Sequence, residues 1–245
     1  MWTQRTRCHV GNFVLDWLNK IPSARRECPC CGWKGRNFRH YLGIGYQVRN
    51  IECPQCRSHP RHRGLSFLLP DIVKRLPADA RILHLSAEAC LSRILTRRTD
   101  IRYMIADFRR PSQQSGSCGA VQADLTAMPF RASSFSMVLC SHVLEHIQDD
   151  APAIREIARI TEAGGQVLIM VPTFKRWDQA PTREFGFADP TWDEHWRIYG
   201  SDLKDRVEAA GLKFVAIDFS QFLKPADFSH LGVDIDTLFI ATQPD

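Results

Sequence analysis

From residue 81 onward, short continuous apolar runs alternate with amphipathic stretches. Residues 81–86 (Arg81-Ile82-Leu83-His84-Leu85-Ser86) read as a strand. Residues 88–98 follow with helical spacing through Leu91, Ile94 and Leu95. Residues 101–106 predict a second strand ending at Asp107, 120–123 a third ending at Asp124, and 135–140 a fourth. Between the second and third, 111–119 is rich in Ser, Gln and Gly and reads as a loop. Residues 151–161 place Ile154, Ile157, Ala158 and Ile160 on one helical face, with a stop expected at Gly164-Gly165. A fifth strand is expected at 166–171, then a helix capped by Ser201 and ending at Gly211, then strands at 213–219 and 237–242. Strands that are apolar throughout must be covered on both faces, which indicates a mostly parallel sheet with helices on either side. The last two strands have no helix predicted between them and are expected to pair antiparallel. Ligands of such sheets sit outside the carboxyl ends of the strands, where the strand order reverses. Ser86, Asp107, Asp124 and Ser141-His142 each end a strand, so they should line one crevice.

The front of the chain differs in kind. Residues 1–66 hold twelve Lys/Arg and three Asp/Glu, a net of +9, so the remainder of this +5 chain carries −4. Five of the nine cysteines lie between Cys28 and Cys56. A disulfide framework would spread them along the chain, whereas short-range clustering points to a metal. Cys28/Cys31 and Cys53/Cys56 form two CxxC pairs separated by 21 residues. Four thiolates from two tight turns suit a tetrahedral zinc ion, and a closed four-ligand site is structural rather than catalytic. Cys30 is the spare thiol, and His59 and His62 are alternative ligands. The CxxxCxxC spacing of a radical-type iron–sulfur cluster is absent. The metal would fold a segment too small to hold a core alone. The chain therefore divides into a basic zinc-ribbon-like segment, 1–66, and a larger domain, 67–245, joined by an apolar helix around 66–77.

Hydrophobic residues make up 44% and charged residues 24%, which excludes global disorder. No apolar run reaches the roughly 18–20 residues of a membrane span. Residues 1–5 do not lead into a signal-peptide core, so a soluble, cytoplasmic protein is expected. Arg36, Arg39 and His40 lie between the knuckles, and Arg57, Arg61, His62 and Arg63 follow the second. They read as a solvated basic face or as a docking ribbon for nucleic acid, but no aromatic signature of an RNA-stacking module accompanies them.

Five pieces in order resemble the class I, type 11-like S-adenosylmethionine-dependent methyltransferases, in the group with an N-terminal zinc-binding segment. They are Asp124-Leu125 with Met128-Pro129-Phe130; Ser134-Phe135-Ser136-Met137-Val138; His142-Val143-Leu144-Glu145-His146; Arg155-Glu156-Ile157-Ala158-Arg159 with Gly164-Gly165; and His195-Trp196-Arg197-Ile198-Tyr199-Gly200. The resemblance covers roughly 80–242 and implies a Rossmann-like seven-stranded sheet, mostly parallel with the last strand antiparallel. It implies S-adenosylmethionine as cofactor beside structural zinc. Asp107 would accept from the ribose hydroxyls, since a carboxylate can take two donors. Asp124, with the Leu125 backbone, would hold adenine. The turn Leu85-Ser86-Ala87-Glu88 would lie against the methionine end, with Ser141 and His142 across the crevice. Both aspartates equally read as strand-ending caps. Two positions depart from the family: the first turn lacks its glycines, and Ser136 stands where an acidic residue is common.

Methyl transfer needs the acceptor positioned and water excluded, with a base if the acceptor is a hydroxyl or protonated amine. His142, at the turn after the fourth strand, is the first candidate for base or cofactor contact, against simple packing. His146 lies four residues on, on the same face of a helix. His142-Val-Leu-Glu145-His146 also matches the HxxEH pattern of an inverted zinc peptidase, but its place after a buried strand argues against that chemistry. Residues 174–199 read as a long aromatic loop over the crevice, an acceptor lid carrying Trp177, Trp192, Trp196 and the second base candidate His195. The expected acceptor is a small molecule, sugar or peptide methylated on oxygen or nitrogen. The alternatives are an RNA base held by the zinc segment, and a non-catalytic binding protein on the same fold.

Overall fold

The structure is a computed structural model that describes residues 4–23, 25–43, 47–109, 119–174, 177–234 and 236–245. Seven strands form one sheet: β1 (Arg81–Leu85), β2 (Arg102–Asp107), β3 (Gly119–Gln122), β4 (Phe135–Ser141), β5 (Thr161–Met170), β6 (Lys213–Asp218) and β7 (Thr237–Thr242). Their spatial order is β6-β7-β5-β4-β1-β2-β3. β3, β2, β1, β4 and β5 run parallel, and β7 pairs antiparallel with both β5 and β6. The chain winds outward through β1, β2 and β3 and returns to β4 on the other side of β1. The order therefore reverses between β1 and β4.

Alternate residues of the central strands feed two separate cores. Ile82, Met137, Leu139 and Leu168 face one side, packed with Leu65 and Leu69 of α2 (Pro60–Lys74) and Leu91 of α3 (Ala89–Leu95). Leu83, Val138, Cys140 and Val167 face the other, against Ile154 and Ile157 of α4 (Asp150–Ile160) and Leu203 and Val207 of α5 (Leu203–Glu208). This two-sided burial is the physical reason these strands lack polar alternation. All seven residues of β4 are buried.

Several boundaries differ from expectation. The first long helix of the domain is α2, starting at Pro60, where proline's missing N–H costs nothing because a helix's first donors are unpaired anyway. α4 ends at Ile160 and β5 begins at once, so Gly164-Gly165 lies inside the strand, with Gly164 at φ +70°. The cap of α5 is Asp202 rather than Ser201. A short helix, Pro225–Leu231, does separate β6 from β7, which still pair antiparallel. Of the loop expected at 111–119, residues 111–118 lie outside the described residues.

The expected lid at 174–199 is not structureless. Arg183–Asp189 and His195–Ile198 form an antiparallel hairpin. The buried side chain of Arg197 pins its base. The guanidinium donates to the Ile147 and Gln148 carbonyls, both at 2.6 Å, and to Glu184 at 2.9 Å. The Tyr199 hydroxyl donates to Asp150 at 2.7 Å. Gly200 is required where the chain leaves the hairpin, because a Cβ there would meet the Ala180 carbonyl oxygen at 2.1 Å.

The front segment begins with a helix, Gln4–Leu18, and continues through two short hairpins, Arg26–Glu27 with Lys34–Gly35 and Arg39–Leu42 with Gln47–Glu52. Cys28, Cys30 and Cys53 are buried in the same cluster as α2 and β1. Among the described residues no helix is long and apolar enough to cross a membrane.

Candidate functional site

Two non-glycine residues with positive φ mark the reversal point: Ser86 at +47° after β1 and His142 at +53° after β4. Each donates its backbone N–H to a neighbouring strand end, Ser86 to the Ala106 carbonyl and His142 to the Met170 carbonyl, both at 2.8 Å. Ser86 thus adopts the left-handed backbone that glycine usually supplies at such a turn. A cavity of about 560 Å³ opens beside them. Leu85, Ser86, Asp107, Asp124, Leu125 and His142 line it, as does His146. Sequence reasoning did not single out Phe108, Arg109, Thr126 and Val143, nor the hairpin-turn residues Asp193 and Glu194, which also face it.

Both aspartates act as local caps through Oδ1. Asp107 accepts from the Arg109 N–H at 2.9 Å, and Asp124 accepts from the Thr126 N–H at 2.8 Å and its hydroxyl at 2.7 Å. The two bonds from Thr126 hold the Asp124 carboxyl below the usual carboxylate range. Capping and ligand binding are compatible, because each carboxylate has a second oxygen.

Glu88 and Ser141 do not line the cavity; they form a polar network behind it. Glu88 accepts from the Ser141 hydroxyl at 2.9 Å and contacts His62 Nε2 at 3.1 Å and His84 Nε2 at 2.8 Å. His62 Nδ1 accepts from the His59 N–H, so the His62 proton sits on Nε2 and points at Glu88. Burial alone would raise the Glu88 carboxyl, but the two imidazoles hold it well below its ordinary value. This network ties α2, which follows the second cysteine knuckle, to the first strand-to-helix turn.

Of the remaining expected residues, Ala87 lies outside the cavity lining, and Trp177 packs against Phe214 and Phe239 on the β6–β7 side. Trp192 is 49% exposed beside Phe185. Trp196 and His195 lie on the hairpin without lining the cavity. His195 instead stacks edge-on against His146, with ring centroids 4.8 Å apart. Burial and the charge of Arg61 hold His142 neutral, well below the usual histidine value, and burial likewise lowers His195.

Cys28, Cys31, Cys53 and Cys56 place their sulfurs within 4.8 Å of one another. The Cys28–Cys56 and Cys31–Cys53 separations are 3.6 and 3.7 Å. Zinc–sulfur bonds of about 2.3 Å in a tetrahedron require sulfurs about 3.8 Å apart, so the set fits zinc. The knuckles are alike: Gly32 and Arg57, each just after the second cysteine, have φ of +75° and +60° and donate to the carbonyl of the first. Cys30 stands outside the set, with its sulfur 3.5 Å from the His62 carbonyl oxygen. His59 and His62 face Glu52 and Glu88 instead. Arg63 is fully buried over the Phe38 ring, bonded to the Ser58 and Gly232 carbonyls. No carboxylate lies within ion-pair distance of it among the described residues, and a buried charge needs compensation. A zinc tetrathiolate, net −2, would supply it.

A reversed parallel sheet with an antiparallel seventh strand and a cleft at its switch point defines the class I methyltransferase fold. The family model described as a methyltransferase domain matches residues 84–169. No curated protein matches the chain. Among solved structures, the Burkholderia thailandensis 1,6-didemethyltoxoflavin-N1-methyltransferase, holding its substrate and S-adenosylhomocysteine, aligns over 84% of this chain and 99% of its own. It does so with a TM-score of 0.54 at 15% identity. A chain of the complex between the Haloferax volcanii Trm112 methyltransferase activator and a candidate methyltransferase aligns over 76% of this chain and 91% of its own, at 16% identity and a TM-score of 0.54. The YcgJ protein of Bacillus subtilis aligns over 75% and 99%, at 15% identity and 0.51.

Proposed function

We propose that the chain transfers a methyl group from S-adenosylmethionine to oxygen or nitrogen of a small-molecule, sugar or peptide acceptor. The observation that carries this reading is the cavity at the β1–β4 reversal, lined by Ser86, Asp107, Asp124 and His142. Its volume suits a ligand of cofactor size. Residues 1–66 serve as the structural zinc segment and 67–245 as the catalytic domain.

When bound, S-adenosylmethionine supplies a methyl group on a sulfonium, already activated for in-line displacement. The second oxygen of Asp107 accepts from ribose hydroxyls, and Asp124 and the Leu125 backbone hold the adenine. The left-handed turn at Ser86 opens room for the methionine end. His142, held neutral, accepts the proton of an acceptor hydroxyl or ammonium, with His195 as the second base. The hairpin carrying Asp193 and Glu194 shields the cavity mouth from water.

Calorimetric titration with S-adenosylmethionine and S-adenosylhomocysteine tests this reading. Micromolar binding of both is expected. No binding of either, by zinc-replete protein with or without acceptors present, overturns it.

A further inference from the structure

Next to the cavity sits a second cluster of metal-ligating side chains, unrelated to the cysteines. Glu145, His146 and His195 bring a carboxylate oxygen and two imidazole nitrogens within 4.8 Å of one another. Glu145 and His146 come from the short turn Leu144–His146 after β4, and His195 from the hairpin. Arg197 and Tyr199 fasten that hairpin to the same turn and the start of α4, so the approach of His195 to His146 is built into the fold.

The Glu145 side chain is completely buried, yet neither carboxylate oxygen receives a hydrogen bond. His142 Nδ1 comes to 3.0 Å from Oε1 without the geometry of a bond. The Nδ1 of His195 is likewise buried and unpartnered. Buried polar atoms are normally satisfied, and an unsatisfied carboxylate is among the costlier exceptions. Three such atoms around one point have a common remedy in a bound cation.

We propose that Glu145, His146 and His195 form a binding site for a divalent transition-metal ion, with its open coordination positions toward the cavity. Two imidazoles and one carboxylate favour manganese, iron, cobalt or zinc over magnesium or calcium. Bond lengths of about 2.0–2.2 Å would draw the ligands to roughly 3 Å apart, a movement available to His195 on its hairpin and to the exposed His146. The HxxEH pattern is met in part: its last two residues ligate, and the third ligand is His195 rather than His142. Arg61 is the opposing positive charge, felt at Glu145 from α2. His146 lines the cavity, so a water or a substrate oxygen there can complete the coordination. Resting on the methyl-transfer reading, that oxygen belongs to the acceptor, which narrows the acceptor class to molecules with a hydroxyl or carboxylate able to ligate a metal.

The test uses the full zinc-replete chain and Mn²⁺, whose free aqua ion gives a strong paramagnetic resonance signal and which does not displace zinc from four thiolates. One Mn²⁺ per chain should bind, with enhanced relaxation of water protons from the open positions. Glu145→Gln, a neutral isostere that keeps the fold, should weaken binding by about tenfold to a hundredfold or more, and His195→Ala similarly. Absence of Mn²⁺ binding up to millimolar concentration overturns the site, and so does equal binding by wild type and Glu145→Gln. Separate titration with S-adenosylhomocysteine keeps the two readings apart. Metal binding without cofactor binding leaves the site standing and removes methyl transfer; cofactor binding without metal does the reverse.

Discussion

Asp107 and Ser86 carry the sharpest predictions at the scale of single residues. Asp107 ends β2 on the cavity wall and caps the next turn through one oxygen. Asp107→Ala should weaken S-adenosylhomocysteine binding by about tenfold to a hundredfold, the worth of one hydrogen bond to a charged group, about 1.5–3 kcal/mol. Calorimetry checks this; unchanged affinity removes the ribose assignment. Ser86 holds φ +47°, a backbone that costs a non-glycine residue roughly 1–2 kcal/mol. Ser86→Gly should therefore keep or raise the melting temperature, and Ser86→Val should lower it, since a β-branched side chain tolerates that backbone least. Equal melting temperatures for the two variants would refute the strain argument. The absence of glycine was plain in the sequence. That serine would take the left-handed turn anyway was not, because backbone conformation there depends on the flanking strands.

At the scale of elements, two knuckles and a buried arginine form one electrostatic unit. Cys53→Ser should release zinc, read by elemental analysis, and destabilise the front segment and α2, which share a core. Full zinc content in that variant would exclude the four-cysteine site. Arg63→Met should weaken zinc retention against a chelator, because the buried guanidinium is the counter-charge to the tetrathiolate. Faster release with an otherwise folded circular-dichroism spectrum is the expected result, and unchanged release would refute the pairing. The CxxC spacing pointed to the ligands, since ligand spacing within a tight turn is local information. The role of Arg63 was hidden among seven basic or imidazole side chains that read as one solvated face. The hairpin at 183–198 was hidden as well, because its anchors, Arg197 to the Ile147 carbonyl and Tyr199 to Asp150, reach across about fifty residues.

Across the whole molecule, buried histidines set the response to pH. Burial holds His40, His59 and His62 below the ordinary value of 6.5. As pH falls through 6.5, the unfolded chain binds protons that the folded chain refuses, so stability falls. Glu88 and Asp124, held low, add a further loss as pH falls through the ordinary carboxylate range. Asp236, raised to about 6 by burial, works oppositely, since its contribution is lost as pH rises through 6. The melting temperature is expected to fall between pH 7 and pH 5, and His62→Gln should make that slope shallower. An unchanged slope would mean that His62 takes no part. What the sequence determined by itself was the local and the periodic: strands apolar on both faces, hence a covered parallel sheet; strand-ending Asp107 and Asp124, hence a crevice; and paired CxxC turns, hence a tetrahedral metal site. Tertiary structure alone decided which side chains meet across the chain. It set Glu88 behind the cavity rather than in it, moved Trp177 onto β6 and β7, and brought His195 to Glu145 and His146. The reason is that periodicity reports which face of an element is buried, whereas contacts between distant segments depend on how those faces pack together.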